Sequence, residues 1–405
     1  MTVLRIRDVR LIVGAVGLSA FGDFLLWIPL ALHIEATTGS PIALSGFFLA
    51  LFGPIVAFSG IAGRLADRCE NRRLLIIVSL AQALVVAAMA LATGSLAAIL
   101  VLTVLLGIGV AISQPAEFAL VPAAAGEENL TQANGLVETA RYIGMTGGPI
   151  AGGALAAGGL LEVALLVDAA TFLAIALGAT ALRARRDPST ADRVDGDQGR
   201  ARDGLRALTA DRVLRVAIGV SVASLLFFSI TIAAEVFFVT DVLHAGPATF
   251  GLLMTTWTLG MVAGAVGLAR RVPRSALAVA ALGGIAIQGL GIAGAAAGGV
   301  LWAAFAGFAL GGVAHGVKNV ALRTLIHDRV PDALRGRAFA GYNAARNAAE
   351  LGALGAGGVL IGLIGAQSAL LLAGVIPLAI GLAGLLFLVQ PTLTPRRLAH
   401  AHLDS

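Results

Sequence analysis

The chain has one lysine, Lys318, set against 27 arginines, one cysteine, Cys69, and only 5% aromatic side chains in 405 residues. A lone cysteine excludes an internal disulfide, and Cys69, lying in an arginine-rich loop, reads as a reduced bystander. Charge is scarce too: Asp, Glu, Lys and Arg make up 13% of the chain, roughly half the usual share. That leaves too little polar surface to keep a soluble domain of this length in water. Chemistry-bearing motifs are also missing. Without a Walker-type phosphate loop ATP drive is not expected. Without a closely spaced Cys/His set or a nucleophile elbow, no metal, cofactor or enzymatic role is expected either. The net charge is +5, but no basic tail or aromatic-basic patch accompanies it, so nucleic acid is not an expected partner.

What is present is apolar length. Hydrophobic residues make up 58% of the chain, and there are 52 glycines. A bilayer crossing takes about 20 apolar residues. Pro41–Gly63, Leu74–Thr93 and Leu96–Ala116 carry no charge at all, and Ser275–Ala314 and Leu351–Gln390 run uncharged for about two crossings each. The pattern predicts twelve transmembrane helices, at 11–34, 42–63, 74–93, 96–117, 134–156, 161–182, 213–241, 248–269, 275–296, 299–323, 338–361 and 367–389. Helices are required because lipid offers no partner to an open backbone. The first of them is too long for a cleaved signal peptide and is read as a retained span.

Arginines alternate with these spans. They precede helix 1 (Arg5, Arg7, Arg10), fill loop 2–3 (Arg64, Arg68, Arg72, Arg73), and recur in segment 183–215, in loops 8–9 and 10–11, and in the tail (Arg396, Arg397). Loops 1–2, 3–4, 5–6, 7–8, 9–10 and 11–12 hold no Lys or Arg. The positive-inside rule therefore puts both termini in the cytoplasm. The one long polar interruption, 183–212, is expected to be a flexible linker. It divides the chain into an N-terminal six-helix bundle, 1–182, and a C-terminal one with a short tail, 213–405. A constant offset of about 209 residues aligns Val121–Pro122 with Val330–Pro331 and Asn134 with Asn343, as a duplicated six-helix unit would.

Two motifs carry a resemblance. In loop 2–3 stand Gly63, Leu65, Ala66, Asp67, Arg68, Arg72 and Arg73. In helix 5, Gly135, Gly144, Gly148, Pro149, Gly152 and Gly153 keep a fixed spacing. With these residues the chain resembles the major facilitator superfamily over nearly its whole length. The helix-5 spacing resembles the antiporter motif of drug:proton exporters, although its last position is more often Ser, Ala or Thr. The text QPAEFALVP followed by ANGL is similar to the twelve-span branch that exports macrolides and siderophores. Loop 2–3 departs from the family pattern at Glu70 and Asn71, and helix 4 lacks the arginine of many proton-coupled exporters. The resemblance implies drive by the proton gradient, a cavity lined by helices 1, 4, 7 and 10, and a monomer in a bacterial inner membrane.

Ionisable residues within a bilayer are costly, so each must face a cavity or a partner. Asp23, near the middle of helix 1, is the sharpest candidate for a proton or substrate role. Gln114, Glu235, His315 and Lys318 also fall on the helices that the resemblance assigns to the cavity. Arg323 is expected to anchor the cytoplasmic end of helix 10, and Asp168 to make a structural pair in helix 6. Glu138 with Arg141, and Arg346 with Glu350, are spaced to form ion pairs along one helix face. The offset puts Arg141 over Glu350, which reverses the sign between halves. Loop 2–3, through Gly63, Asp67, Arg68, Arg72 and Arg73, reads as a latch on the cytoplasmic gate, with Asp67 reaching the other half. The leading expectation is proton-coupled efflux of an amphipathic small molecule. The rivals are a nutrient importer on the same scaffold and a non-transporting sensor or assembly member.

Overall fold

The computed structural model describes residues 3–185 and 206–389. The expected linker 183–212 therefore lies mostly outside the described residues, and the tail arginines Arg396 and Arg397 lie wholly outside them. Among the described residues every regular element is helical.

The first half holds α1 (Arg7–Thr38), α2 (Pro41–Ala57, continued as Ser59–Arg68), α3 (Asn71–Leu91), α4 (Leu96–Ala125), α5 (Leu130–Ala157) and α6 (Leu161–Ala181). The second holds α7 (Arg212–Phe228, then Thr231–Phe237 and a π-turn, Phe238–Val242), α8 (Pro247–Val262, continued by a π-segment, Ala263–Leu268, and a 3₁₀ turn, Ala269–Arg271), α9 (Leu277–Gly298), α10 (Leu301–Arg329), α11 (Asp332–Ile364) and α12 (Ala366–Val389). Nine of these are long and apolar enough to cross a membrane, and the bent pair of α2 makes a tenth. The other two, α5 and α10, are diluted by polar residues, Glu138 and Arg141 in one and His315, Lys318 and Arg323 in the other.

Local chemistry sets the helix ends. Ser40 and Ser95 accept from the backbone N–H groups of Ala43 and Ala98 and so cap α2 and α4. Asp211 caps α7 through Leu214 N at 2.8 Å. Gly39 and Gly299, at φ 57° and 56°, end α1 and α9 in the left-handed conformation that glycine adopts without strain.

Three spans differ from the sequence reading. α4 was expected to stop at 117 but runs on to Ala125 with Pro115 and Pro122 inside it. Packing against neighbours lets a helix in lipid tolerate proline. α2 bends by 50° between Ala57 and Ser59. Pro54, one turn before the break, has no N–H to hold the preceding turn. α7 is broken after Phe228 rather than continuous.

The two halves repeat one packing scheme. α3 packs on α4 and α6 as α9 packs on α10 and α12, and α2 packs on α4 as α8 packs on α10. Between halves α5 meets α8 and α2 meets α11, which is the same pairing seen from either half. One apolar core spans both halves and includes Leu26, Ile28, Phe48, Phe238, Phe250 and Ile361. A second core, with Leu214, Leu277, Leu325 and Val330, belongs to the second half alone.

The chain is thus an all-α membrane protein of two pseudo-symmetric six-helix bundles. The bundles join at the charge-poor end, where Trp27 stands edge-on to Phe250 with ring centres 6.2 Å apart. There too the Thr255 hydroxyl donates to Thr146 O at 3.3 Å, and a Cβ on Gly358 would reach Pro41 O at 2.6 Å.

Candidate functional site

The first-half cavity is built by α1, α3, α4 and α5. Asp23, Gln82, Ser113, Gln114, Glu117 and Arg141 line a small opening of about 50 Å³. Asp23 lies 16 residues into the 32-residue α1, at mid-helix, and is nevertheless exposed to this cavity. The Arg141 guanidinium lies over the Phe118 ring at 4.9 Å. It is also close enough to act electrostatically on both Asp23 and Glu117. Its expected partner Glu138 is 3.8 Å away, and Arg141 Nε makes no hydrogen bond. The expected pair is thus a loose one, and Arg141 also faces the cavity that Asp23 and Glu117 line. Gln82, only 2% exposed, has neither amide atom bonded, and Glu117 Oε1 is unpartnered as well.

The second half presents the opposite sign. Lys318, 5% exposed, has its Nζ 3.3 Å from His315 Nδ1, which lies 3.2 Å from Gln288 Oε1. Phe228 and Trp257 flank the imidazole at 6.1 and 5.5 Å between ring centres. Beside this cluster Asn319, Arg323, Phe339, Tyr342, Asn343 and Arg346 line a cavity of about 330 Å³. The expected Arg346–Glu350 pair is formed, with Nε and Nη2 both 2.9 Å from Oε1.

The five residues assigned to one cavity are therefore divided. Asp23 and Gln114 share the first-half cavity, His315 and Lys318 sit together in the second half, and Glu235 lines neither, being buried in α7 at 8% exposure. Asp168 is buried beneath Gly22 of α1. Its Oδ1 accepts from the Thr171 hydroxyl at 3.0 Å, and its Oδ2 has no partner.

The residues of the helix-5 motif fall on two faces. Gly144, Gly148 and Gly152 turn to α1, where a Cβ on Gly148 would stand 2.7 Å from Phe21 O. Gly153 turns to α8, and Pro149 O lies against Gly251 there. Gly135 has nothing near it. In loop 2–3, Arg72 donates from Nε to Ala179 O at 3.0 Å and from Nη2 to Thr180 O, closing the end of α6. Arg73 pairs with Glu70 at 3.0 Å. Both arginines thus act within their own half. Gly63 has open space around it, Arg68 is exposed, and Asp67 is engaged.

Sequence reasoning missed Glu117 and Gln82. Glu117 is legible in QPAEF, but it stood as the last residue of the expected helix 96–117 and was not weighed as a cavity acid. A Gln in the otherwise uncharged run Leu74–Thr93 was the available sign of the other.

The family model described as Major Facilitator Superfamily matches residues 12–241 and 216–403. No curated protein sequence matches the chain. Among solved structures, a POT family transporter in complex with 5-aminolevulinic acid has a TM-score of 0.76 at 11% identity, covering 94% of this chain and 96% of that one. The nucleoside transporter NupG has 0.72 at 14%, covering 94% and 100%. A bacterial homologue of the iron transporter ferroportin, in its inward-facing state, has 0.71 at 16%, covering 95% and 99%. At these identities the likeness concerns the fold.

Proposed function

Because the chain belongs to the major facilitator superfamily, we propose that it is a proton-coupled exporter of an amphipathic small molecule, working by alternating access. The observation that carries this reading is the cluster of Asp23 and Glu117 around Arg141, at mid-helix depth and open to a cavity. A carboxyl so placed can take a proton when the cavity faces one compartment and release it to the other. Arg141 can hold whichever acid is ionised. Asp23 and Gln114 serve in the first half, His315 and Lys318 in the second, and Glu235 lends a buried carboxyl to α7. The arginine-bearing end is assigned to the cytoplasm by the distribution of charge, in a bacterial inner membrane, with the protein as a monomer.

In this reading the halves, joined at the charge-poor end, face inward. Closing the other end would straighten the 50° break in α2 and bring loop 2–3, with Gly63, Asp67, Arg68, Arg72 and Arg73, against the second half. Gly144, Gly148, Pro149, Gly152 and Gly153, though not Gly135, give α5 the thin faces on which α1 and α8 bear.

Import of a polar nutrient is the second reading. It draws on Asn319, Tyr342 and Asn343, which line the larger cavity with hydrogen-bonding groups. Expression in an efflux-deficient host separates the two. Export requires raised tolerance to at least one amphipathic compound, lost in Asp23→Asn and Glu117→Gln at equal protein level. Unchanged tolerance across the panel, together with proton-driven accumulation of a nutrient in right-side-out vesicles, would overturn it.

A further inference from the structure

Among the described residues Lys318 is a buried cation with no acid in ion-pair contact. It sits 11 residues inside α10 from Arg329, or roughly 16 Å along the axis. Of its three ammonium hydrogens, one has a partner, His315 Nδ1 at 3.3 Å. That nitrogen cannot both accept from Lys318 and donate to Gln288, so the Lys318–His315–Gln288 cluster leaves hydrogen-bonding capacity unspent. Ser224 adds a buried hydroxyl without a partner. Ser221, Ser224, Phe228, Gln288 and Lys318 line a narrow pocket of about 10 Å³, room for a water-sized group, and no carboxylate lines it. The nearest acid on this side, Glu350, is held by Arg346. The larger cavity takes in the next residue, Asn319, and the Tyr342 hydroxyl of its wall stands 3.5 Å from the Ser221 hydroxyl of the narrow pocket. That cavity too is lined by cations, Arg323 and Arg346, and by no acid.

A buried charge left unpaired is costly, and a protein keeps one where a ligand completes it. We propose that this pocket is the carboxylate subsite of the cargo, and that the transported molecule is an organic anion with a flat apolar body. Lys318 meets the carboxylate with Gln288 and Ser224 as further donors. The body lies in the larger cavity, whose aromatic lining is Phe339 and Tyr342. At about 330 Å³ that space falls at the lower end of ordinary small-ligand sites. The acids of the first half are then left to carry protons, so cargo and coupling ion occupy opposite halves. This rests on the transport reading above and narrows its substrate class.

The test is binding, read without flux. The purified full chain in detergent is titrated with naphthoate, indole acetate and salicylate, each against its own methyl ester, and ligand-dependent thermal stabilisation is followed. At least one carboxylate should bind about tenfold or more tightly than its ester. Lys318→Arg should keep that preference and Lys318→Met should bring it within about twofold. Lys318→Met should melt no lower than the wild type, because it removes an unpaired buried charge.

Equal binding of acid and ester by the wild type, or a preference that survives Lys318→Met, would overturn the subsite. So would an equal weakening of acid and ester binding by Lys318→Met, which would leave the acid-to-ester ratio unchanged and mark a structural lysine. Carboxylate preference without proton-driven flux would leave the subsite standing and remove the transport reading. Flux of neutral compounds without that preference would do the reverse.

Discussion

Gly153 of α5 and Gly251 of α8 meet backbone to backbone across the two halves. A Cβ placed on Gly153 would stand 2.9 Å from Gly251 Cα and 2.9 Å from Pro247 O. No side chain separates the bundles there. Gly251→Leu should therefore wedge the charge-poor end open. Spin-label distances between α5 and α8 at that end should lengthen, and transport should fall at least tenfold with insertion unimpaired. An unchanged distance distribution would show that the contact does not hold this conformation.

The motif glycines differ in what a side chain would cost. A Cβ on Gly144 would run into Gly17 O and come within 2.8 Å of Phe21 N, whereas Gly135 has open space. Gly144→Leu should cost about 1–3 kcal/mol or more through overpacking. Gly135→Ala should be neutral or should stabilise by up to roughly 1 kcal/mol, since alanine favours the helix. Apparent melting temperatures in one detergent check both.

The two ion pairs should also differ. Arg346 places two nitrogens 2.9 Å from one oxygen of Glu350, while Arg141 stands 3.8 Å from Glu138, whose side chain is 49% exposed. Double-mutant cycles on stability should give roughly 0.5–1 kcal/mol for Arg346–Glu350 and near zero for Glu138–Arg141. A larger coupling for the second pair would restore the helix-face pair expected from spacing.

Asp211 carries a pH dependence. Its partial burial works to raise the carboxyl's pKa. The bonds from Leu214 N and Arg329 and the arginine's charge outweigh that burial and hold it below the ordinary 3.8. A depressed carboxyl stabilises the fold fully above its unfolded pKa, and that contribution disappears as pH falls through the folded value. Asp211→Ala should cost about 1 kcal/mol as a lost cap at neutral pH. Its melting temperature should converge on that of the wild type below about pH 4.

Residue order was enough to reveal a chain of many membrane-crossing helices with alternating arginines and a repeat, because these follow from apolar length and charge position. It also marked Asp23 and Lys318, since any charge in an apolar run stands out. It misplaced the end of α4, which runs through Pro122 to Ala125, because a proline looks like a stop until neighbouring helices are known to support it. Glu117 was lost with that end. Gln82 was lost because an uncharged polar residue signals little without a cavity beside it.

The sequence by itself determined that this chain lives in lipid as two related sets of helices, because hydropathy and backbone hydrogen bonding leave no other solution at this composition. Only the tertiary structure decided which polar groups share a space. Asp23 with Glu117 and Arg141, and Lys318 with His315 and Gln288, meet across helices far apart in the chain. That juxtaposition depends on which helix faces pack, and here the choice rests on glycines whose backbones can touch.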